Sequence, residues 1–496
     1  MSKKWIIGII VLICSVRGVF FLHDRITHKK SAAETLERVE LTICLLGTPP
    51  TDMAPVLDKL NELTIRDLNC TVNIKWISMG EFATRYGIVL STDETVDLIY
   101  VSNWLNFNEH AERGAFAPLE DLVKEYAPES DQMLTDSIRE QASVKGHLYA
   151  LPSNFTNYDA LGVIARGDLM EKYDIPDIET FADYLYFCDV IAENEDLDPT
   201  GMCSMNMDFY TLYIMSRGYY PLDGSVWSPY WVSLNDDDYT VYFQSECPGM
   251  EEYLSRAQEW YEKGYWSSDV LVSKDETLLD SGTAASRIHN YDAYLGEFGV
   301  NLDKDIRYYN LVKPLVRQTR LQDAMAIPAL SSNKERAMML LEKLRNDETY
   351  YMLITYGIEG YHYTRNGEEI RFLNRDYGNE PGTWGFRDER YKCWDSILHG
   401  DALEMRNRYA EETVDTPLVD FKMDLSTIQD EYYRVKSLMG IYYAPLKLGY
   451  IDFETGMATL NNRLEMAGNE KVKEELHRQI LEFVEKRKTE TNKSGE

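Results

Sequence analysis

The chain has 496 residues, 44% of them hydrophobic and 27% charged, without long Pro, Gly or Ser tracts; this excludes disorder and exceeds what one hydrophobic core supports, so two or more lobes are expected. A formal net charge of −32 excludes nucleic acid as a partner, because no basic run outside the N-terminus could displace counterions from phosphate. The same field suits a neutral ligand better than an anionic one.

Lys3 and Lys4 precede an apolar stretch from Trp5 to Leu22, broken by Arg17 and followed by Arg25, Lys29 and Lys30. Basic flanks around a run close to the roughly 20 residues of a bilayer span read as an export signal or membrane anchor over residues 1–30. Residues 5–22 are then the contact with the cytoplasmic membrane, and everything from about residue 31 works outside the cell.

Residues 39–46 alternate apolar and polar, and Pro49, Pro50 and Thr51 open a helix with Met53, Leu57, Leu60 and Leu68 along one face. A second alternating strand over 72–76 precedes a helix around 80–90, and the continuous apolar run 96–102 reads as a buried strand. This βαβαβ order predicts a parallel sheet whose strand ends, near Gly47, Ser78 and Asn103, share one rim. Helices follow from Pro118 and over 131–144; the strand 147–152 then ends at Pro152 and leads, as a first crossing, into a second unit with a strand at 159–166 and a helix near 178–193. Aromatic residues crowd 205–245, and the helix Met250–Lys263 buries Tyr253, Leu254, Ala257 and Trp260, with Gly264 as its C-cap. The chain is expected to return after residue 280 through strands at 308–312 and 324–330. Ser332 and Glu335 then form a capping box before a helix carrying Ala337, Met338, Leu341 and Leu344. Val472, Leu476, Ile480 and Phe483 give the last helix one apolar face for docking.

No H-E-x-x-H, G-x-S-x-G, Walker A or G-x-G-x-x-G element occurs, and no cofactor or metal is implied. The histidines are scattered, with His289 and His362 near predicted cleft segments, and Asp236-Asp237-Asp238 lacks the ligand pattern of an EF-hand. Outside the anchor, Cys44, Cys70, Cys188, Cys203, Cys247 and Cys393 are sparse enough to be core residues, with Cys188–Cys203 the one pairing to test. Glycoside hydrolysis needs only two carboxylates, so with 83 Asp and Glu it is the enzymatic reading that composition leaves open.

For ligand class, 35 Tyr and 9 Trp favour sugar rings, whose C–H faces pack on aromatic planes while amide, carboxylate and phenol groups take the hydroxyls. Candidate ligand-binding residues are Asn103 and Trp104 after the third strand, Asn154, Phe155 and Tyr158 at the first crossing, and Trp227 in lobe two. Tyr291 after the return and Trp384 in a loop rich in Gly and Pro complete the set. Peptide is the alternative ligand.

Several stretches carry a family resemblance: GHLYALP (146–152), EYLSRAQEWYEKGYWSSDV (252–270), LSSNKERAMMLLEKLRNDETYYMLITYGIEGYHY (330–363) and the segment 430–476 beginning DEYYRVKSLMG. In this order they resemble extracellular solute-binding proteins of bacterial ABC importers, of the lipoprotein O type with its small C-terminal domain, similar in general plan to maltose-binding protein. The resemblance implies an α/β clamshell of the type II periplasmic-binding-protein kind, each lobe a mainly parallel sheet flanked by helices. Lobe one is expected over 39–150 and 281–328, lobe two over 152–280 and 329–400, and a helical extension over 401–490 docked on the lobes. It further implies a monomer that binds a solute without catalysis and delivers it to an ABC permease. One departure is Ile13 before Cys14: a lipobox carries a small residue there, so an uncleaved anchor without lipid is expected.

Overall fold

The computed structural model describes residues 36–92, 96–158, 160–204, 209–298, 305–398 and 400–494; the expected anchor and Cys14 lie outside the described residues. Among the described residues no helix is long and apolar enough to cross a membrane.

Lobe one is built on a five-stranded sheet. Val39–Leu46 lies parallel to Cys70–Ile77 along its whole length and parallel to Leu98–Val101, as the βαβαβ pattern predicts. The helix Met53–Leu68 buries Val56, Leu60, Thr64 and Leu68 at four-residue intervals, and it ends at Asn69, whose left-handed φ of 47° lets its N–H cap the Thr64 carbonyl. Two short strands complete the sheet, Ala324–Ala326 antiparallel to Leu98–Val101 and Leu151–Pro152 antiparallel to Ala324–Ala326; both belong to the segments that cross between lobes.

The crossing strand Ala324–Ala326 corrects the expected boundaries. The helices Lys334–Asn346 and Glu348–Tyr356, expected in lobe two, follow that strand and bury Ala337, Met338, Leu341, Leu344, Tyr350 and Ile354 in the core of lobe one. An apolar helix stripe fits either lobe, and strand pairing some 220 residues apart in sequence decides which. The opposite correction applies to 281–328. Ser286–Asn290 and Ile306–Asn310 flank Leu161–Arg166 in the lobe-two sheet, and only Ala324–Ala326 joins lobe one. That lobe-two sheet is antiparallel, where a mainly parallel one is expected.

The aromatic stretch forms the interior of lobe two. Phe209 packs on Phe181, Tyr184, Tyr253, Trp260 and Trp266 at ring separations of 5.1 to 6.2 Å, all of them edge-on or tilted as ring quadrupoles prefer. The helices Gln429–Leu438, Phe453–Ala467 and Asn469–Ser494 close the same core with Tyr432, Val435, Leu460, Leu464, Val472, Leu476 and Ile480. Gly449, at φ +67°, lies so close to the helix Met250–Glu262 that a Cβ would stand 2.4 Å from the Ala257 backbone; only glycine permits that contact. The six cysteines outside the anchor are buried free thiols, Cys188 and Cys203 included.

From lobe two the extension also reaches lobe one. Residues 414–423 pass beside the crossing segment, where Val414 pairs with Val316 and Arg317 meets Asp415 at 2.6 Å. Asp420 then accepts hydrogen bonds of 2.6 Å from Ser137 and from Gln141 of the lobe-one helix Asp136–Gln141, and the Lys422 ammonium donates to the carbonyls of Glu140 and Ser143. Gln141 is the node: its carbonyl oxygen accepts from Thr319 Oγ1 (3.1 Å) and from the Arg320 amide (2.7 Å).

Candidate functional site

The C-terminal ends of the parallel strands place a band of rings where the lobes face each other. Trp104, in the short turn Asn103–Leu105 after the third strand, stands edge-on to Phe82 at 5.5 Å and tilted on Tyr100 at 6.2 Å. Trp384 stands edge-on to Tyr100 at 5.8 Å. Its loop lies directly over the strand ends because Gly382, at φ +60°, has no Cβ to strike Leu46 O, which would be 2.2 Å away. From lobe two, Trp227 stacks on Phe82 at 6.3 Å and 20°. Trp104, Trp227 and Trp384 each keep part of their surface open to solvent. Asn103 joins them across the gap, its Nδ2 donating to Asp223 O at 3.4 Å. At the far end of the rim Lys274 of lobe two donates to Gly80 O.

The remaining candidates lie at or beyond the hinge. Asn154 exchanges backbone bonds with the segment 387–389 and spends its amide on Asp388 at 3.2 Å. Phe155, 2% exposed, lies within 5.1 to 5.6 Å of Arg387, Arg406 and Lys392, a ring face shared by cations. Tyr158 is 4% exposed with a hydroxyl that has no partner among the described residues. Tyr291 is 1% exposed among Tyr294, Tyr308 and Tyr409, and its hydroxyl donates to Ala402 O at 2.7 Å. It is therefore a core residue of lobe two, and its position after the return strand serves packing.

The charged floor of the hinge was not legible from sequence. Glu380, 7% exposed, accepts from Arg387 Nε and Nη2 at 3.1 and 3.0 Å on one oxygen and from the Lys392 ammonium on the other. Burial alone would raise this carboxyl, but Arg387 and Lys392 together hold it down at about 2. Asp323 accepts from Tyr100 (2.8 Å), Asn157 (3.0 Å) and Arg387 (3.3 Å), tying the ring band to the hinge. Asp292 is half-buried and faces Arg406, Arg387 and Lys392; burial pushes its carboxyl up. His289 accepts the Asn290 amide on Nδ1 at 2.8 Å, so Nε2 carries its proton, and burial lowers the imidazole to about 3, with Arg287 adding to the effect. Asp323 meets Tyr100, Asn157 and Arg387 across 223, 166 and 64 residues, and the Glu380 partners, 7 and 12 residues on, stand in irregular chain without a periodic spacing, so neither carboxylate carries a local signature.

A small cavity of about 110 Å³ lies beside the crossing segment, lined among others by Asn103, Asp223, Thr319, Asp420 and Lys422. That is well below the roughly 300–1,000 Å³ of small-molecule pockets, which leaves the ring-lined cleft as the candidate site. Rings on both lobes beside a hinge with hydrogen-bonding groups suit reversible capture of a polar, ring-containing solute. Glu380, held ionised between two cations, cannot serve as the general acid that glycoside cleavage requires.

Comparison with known proteins agrees with this geometry. The profile of the bacterial extracellular solute-binding protein family matches residues 51–349, and that of a domain of unknown function, DUF3502, matches 417–485. A carbohydrate ABC transporter substrate-binding protein of Streptococcus pneumoniae is 22% identical over 502 residues, covering 98% of this chain and 99% of the relative. The polygalacturonan/rhamnogalacturonan-binding protein YtcQ of Bacillus subtilis is 22% identical over 405 residues, covering 76% and 77%. Among solved structures, the N-glycan transport solute binding protein NgtS of Streptococcus pneumoniae in complex with Man1GlcNAc superposes with a TM-score of 0.78 at 19% identity, covering 90% of this chain and 100% of that one. Alginate-binding protein AlgQ2 gives 0.64 at 11% identity, covering 91% and 99%. With a two-lobed α/β fold and a family profile spanning well over half its length, this chain belongs to the bacterial extracellular solute-binding protein family.

Proposed function

We propose that this chain captures an oligosaccharide in the interlobe cleft, outside the cytoplasmic membrane, and delivers it unaltered to the permease of an ABC importer. The observation that supports the reading is the cluster of Trp104, Trp384 and Trp227, partly exposed rings contributed by both lobes beside Asn103 and the hinge. Indole planes accept the C–H faces of pyranose rings, and a ligand touching both lobes gives the closed state contacts that the open state lacks. The carbohydrate-binding relatives support the same ligand class. Residues 5–22 hold the chain at the membrane without lipid on Cys14; carbonate-resistant membrane association of the Cys14→Ser variant at full length is the expected result.

The test is a thermal-shift screen of the ectodomain against oligosaccharides and peptides, followed by calorimetry. A bound oligosaccharide at 100 times its dissociation constant adds about 2.7 kcal/mol, and Trp104→Ala weakens binding by roughly 1–3 kcal/mol with the fold retained. Stabilisation by peptides with none by any oligosaccharide would overturn the reading.

A further inference from the structure

The turn that presents Trp104 belongs to lobe one, yet both of its ends are held by groups of lobe two and the extension. At one end Asn103 donates to Asp223 O at 3.4 Å. At the other, Asn106 stands in the left-handed region at φ 56°, which asparagine tolerates, and its N–H closes the turn on Asn103 O at 3.2 Å. Asn106 also occupies the N-cap position of the helix Phe107–Glu112, but its side chain caps nothing there. Its Oδ1 instead accepts from the Lys436 ammonium at 2.7 Å, across 330 residues of chain. Lys436 lies on the extension helix Gln429–Leu438, whose Tyr432, Val435 and Leu438 are buried in the core of lobe two. Tyr433, on the same helix face three residues earlier, stands beside Glu109 of the helix Phe107–Glu112; burial and that carboxylate push its phenol up to about 12. The arm ahead of this helix is fixed as well, since Asp420 accepts from Ser137 and Gln141 of lobe one. An ammonium offered from a helix so restrained makes its bond at a small loss of freedom.

We infer that Lys436 is a positioning residue for ligand capture: through Asn106 it fixes the turn that presents Trp104 when the lobes meet, which makes the C-terminal extension a working part of the binding site. This rests on the oligosaccharide reading, with Trp104 as a ring that stacks on the sugar. On the hinge side the turn is steadied within reach of the crossing segment, where Ser102 Oγ donates to Gln322 O at 2.8 Å; beyond Trp104 the corresponding hold is Lys436. Opening the cleft parts Asn103 from Asp223 and Asn106 from Lys436 and releases the turn. Closure on a sugar restores both bonds and keeps the indole against the pyranose face. A bond made only in the closed state raises the population of the form that holds ligand, so its loss lowers the apparent affinity and shows chiefly in the dissociation rate. The Lys436 ammonium touches no ligand, and its effect passes entirely through the turn.

Calorimetry and stopped-flow kinetics on the full-length chain in a sugar-free detergent test this, with oligosaccharides of mannose, glucose, N-acetylglucosamine and galacturonate as probes. For the tightest-binding probe, Lys436→Met keeps the aliphatic stem and removes the donor; it is expected to weaken binding about three- to fivefold through faster dissociation, with an unchanged melting temperature. Lys436→Arg, which keeps a charged donor, is expected to restore the parent affinity. In the Trp104→Ala background Lys436→Met is expected to change nothing further, because no ring remains to be positioned. Parent-like binding by Lys436→Met, or an undiminished loss in the Trp104→Ala background, would overturn the inference and leave the oligosaccharide reading intact. Trp104→Ala binding like the parent would remove the stacking role of Trp104 and the inference with it, whereas failure of every probe would remove the oligosaccharide reading itself.

Discussion

Replacing Glu380 by Gln tests whether the hinge is held by charge. The carboxylate is 7% exposed between Arg387 and Lys392, whose side chains are 15% and 9% exposed, so solvent screening does little to weaken the cluster. A carboxyl lowered from 4.5 to about 2 stabilises the folded state by about 3 kcal/mol above pH 4.5, at 1.36 kcal/mol per unit. Leaving two buried cations without their shared anion costs the same order, about 3–5 kcal/mol. Arg387 is raised by Glu380 and Asp323 against its burial, whereas Lys392 is lowered because burial outweighs the carboxylate it shares. In the variant Lys392 therefore sheds its proton first, which puts the expected loss near the lower figure. Because the folded carboxyl is depressed, its contribution is complete above the unfolded value of 4.5 and fades as pH falls toward about 2. By pH 3.5 about 1.4 kcal/mol of it is gone. Urea unfolding of both proteins at pH 7 and pH 3.5 should show a gap of about 3 kcal/mol that narrows by nearly half. An equal gap at both pH values would mean that lost hydrogen bonds, not charge, set the cost; no gap at pH 7 would mean that the cluster is solvated.

Gln141→Leu leaves Asp420, Thr319 and the Arg320 amide without their shared partner, so a loss of about 2–4 kcal/mol and a larger ligand-free radius of gyration by small-angle scattering are expected. An unchanged radius would show that the extension does not restrain the lobes. Tyr291→Phe removes the bond to Ala402 and should cost about 1 kcal/mol of stability while calorimetry shows unchanged ligand affinity. A tenfold affinity loss would return Tyr291 to the site.

Period-two and period-3.6 patterns, caps and the family stretches fixed most elements before any contact was known, because they depend on neighbours within a few residues. Val39–Leu46 with its parallel partners, the helix Met53–Leu68 and the docking face of the last helix all follow from such patterns. The position of Asn103 and Trp104 at the strand ends was legible for the same reason, because right-handed crossovers bring the ends of successive parallel strands together, whereas loop composition and aromatic content do not say that Trp384 and Trp227 pack beside them on Tyr100 and Phe82. Tertiary structure alone decided where amphipathic pieces went. The stripe of Lys334–Asn346 is equally apolar toward either lobe, and it fell to lobe one because Ala324–Ala326 had already paired with Leu98–Val101. It also decided which charges were buried. A lone Asp, Glu, Arg or Lys in a sequence reads as solvated surface, and Glu380 and Asp292 differ from that only because Arg387, Lys392 and Arg406 converge on them. Burial makes a charge depend on what surrounds it in space, and that environment is assembled from segments whose separation along the chain carries no periodic signal.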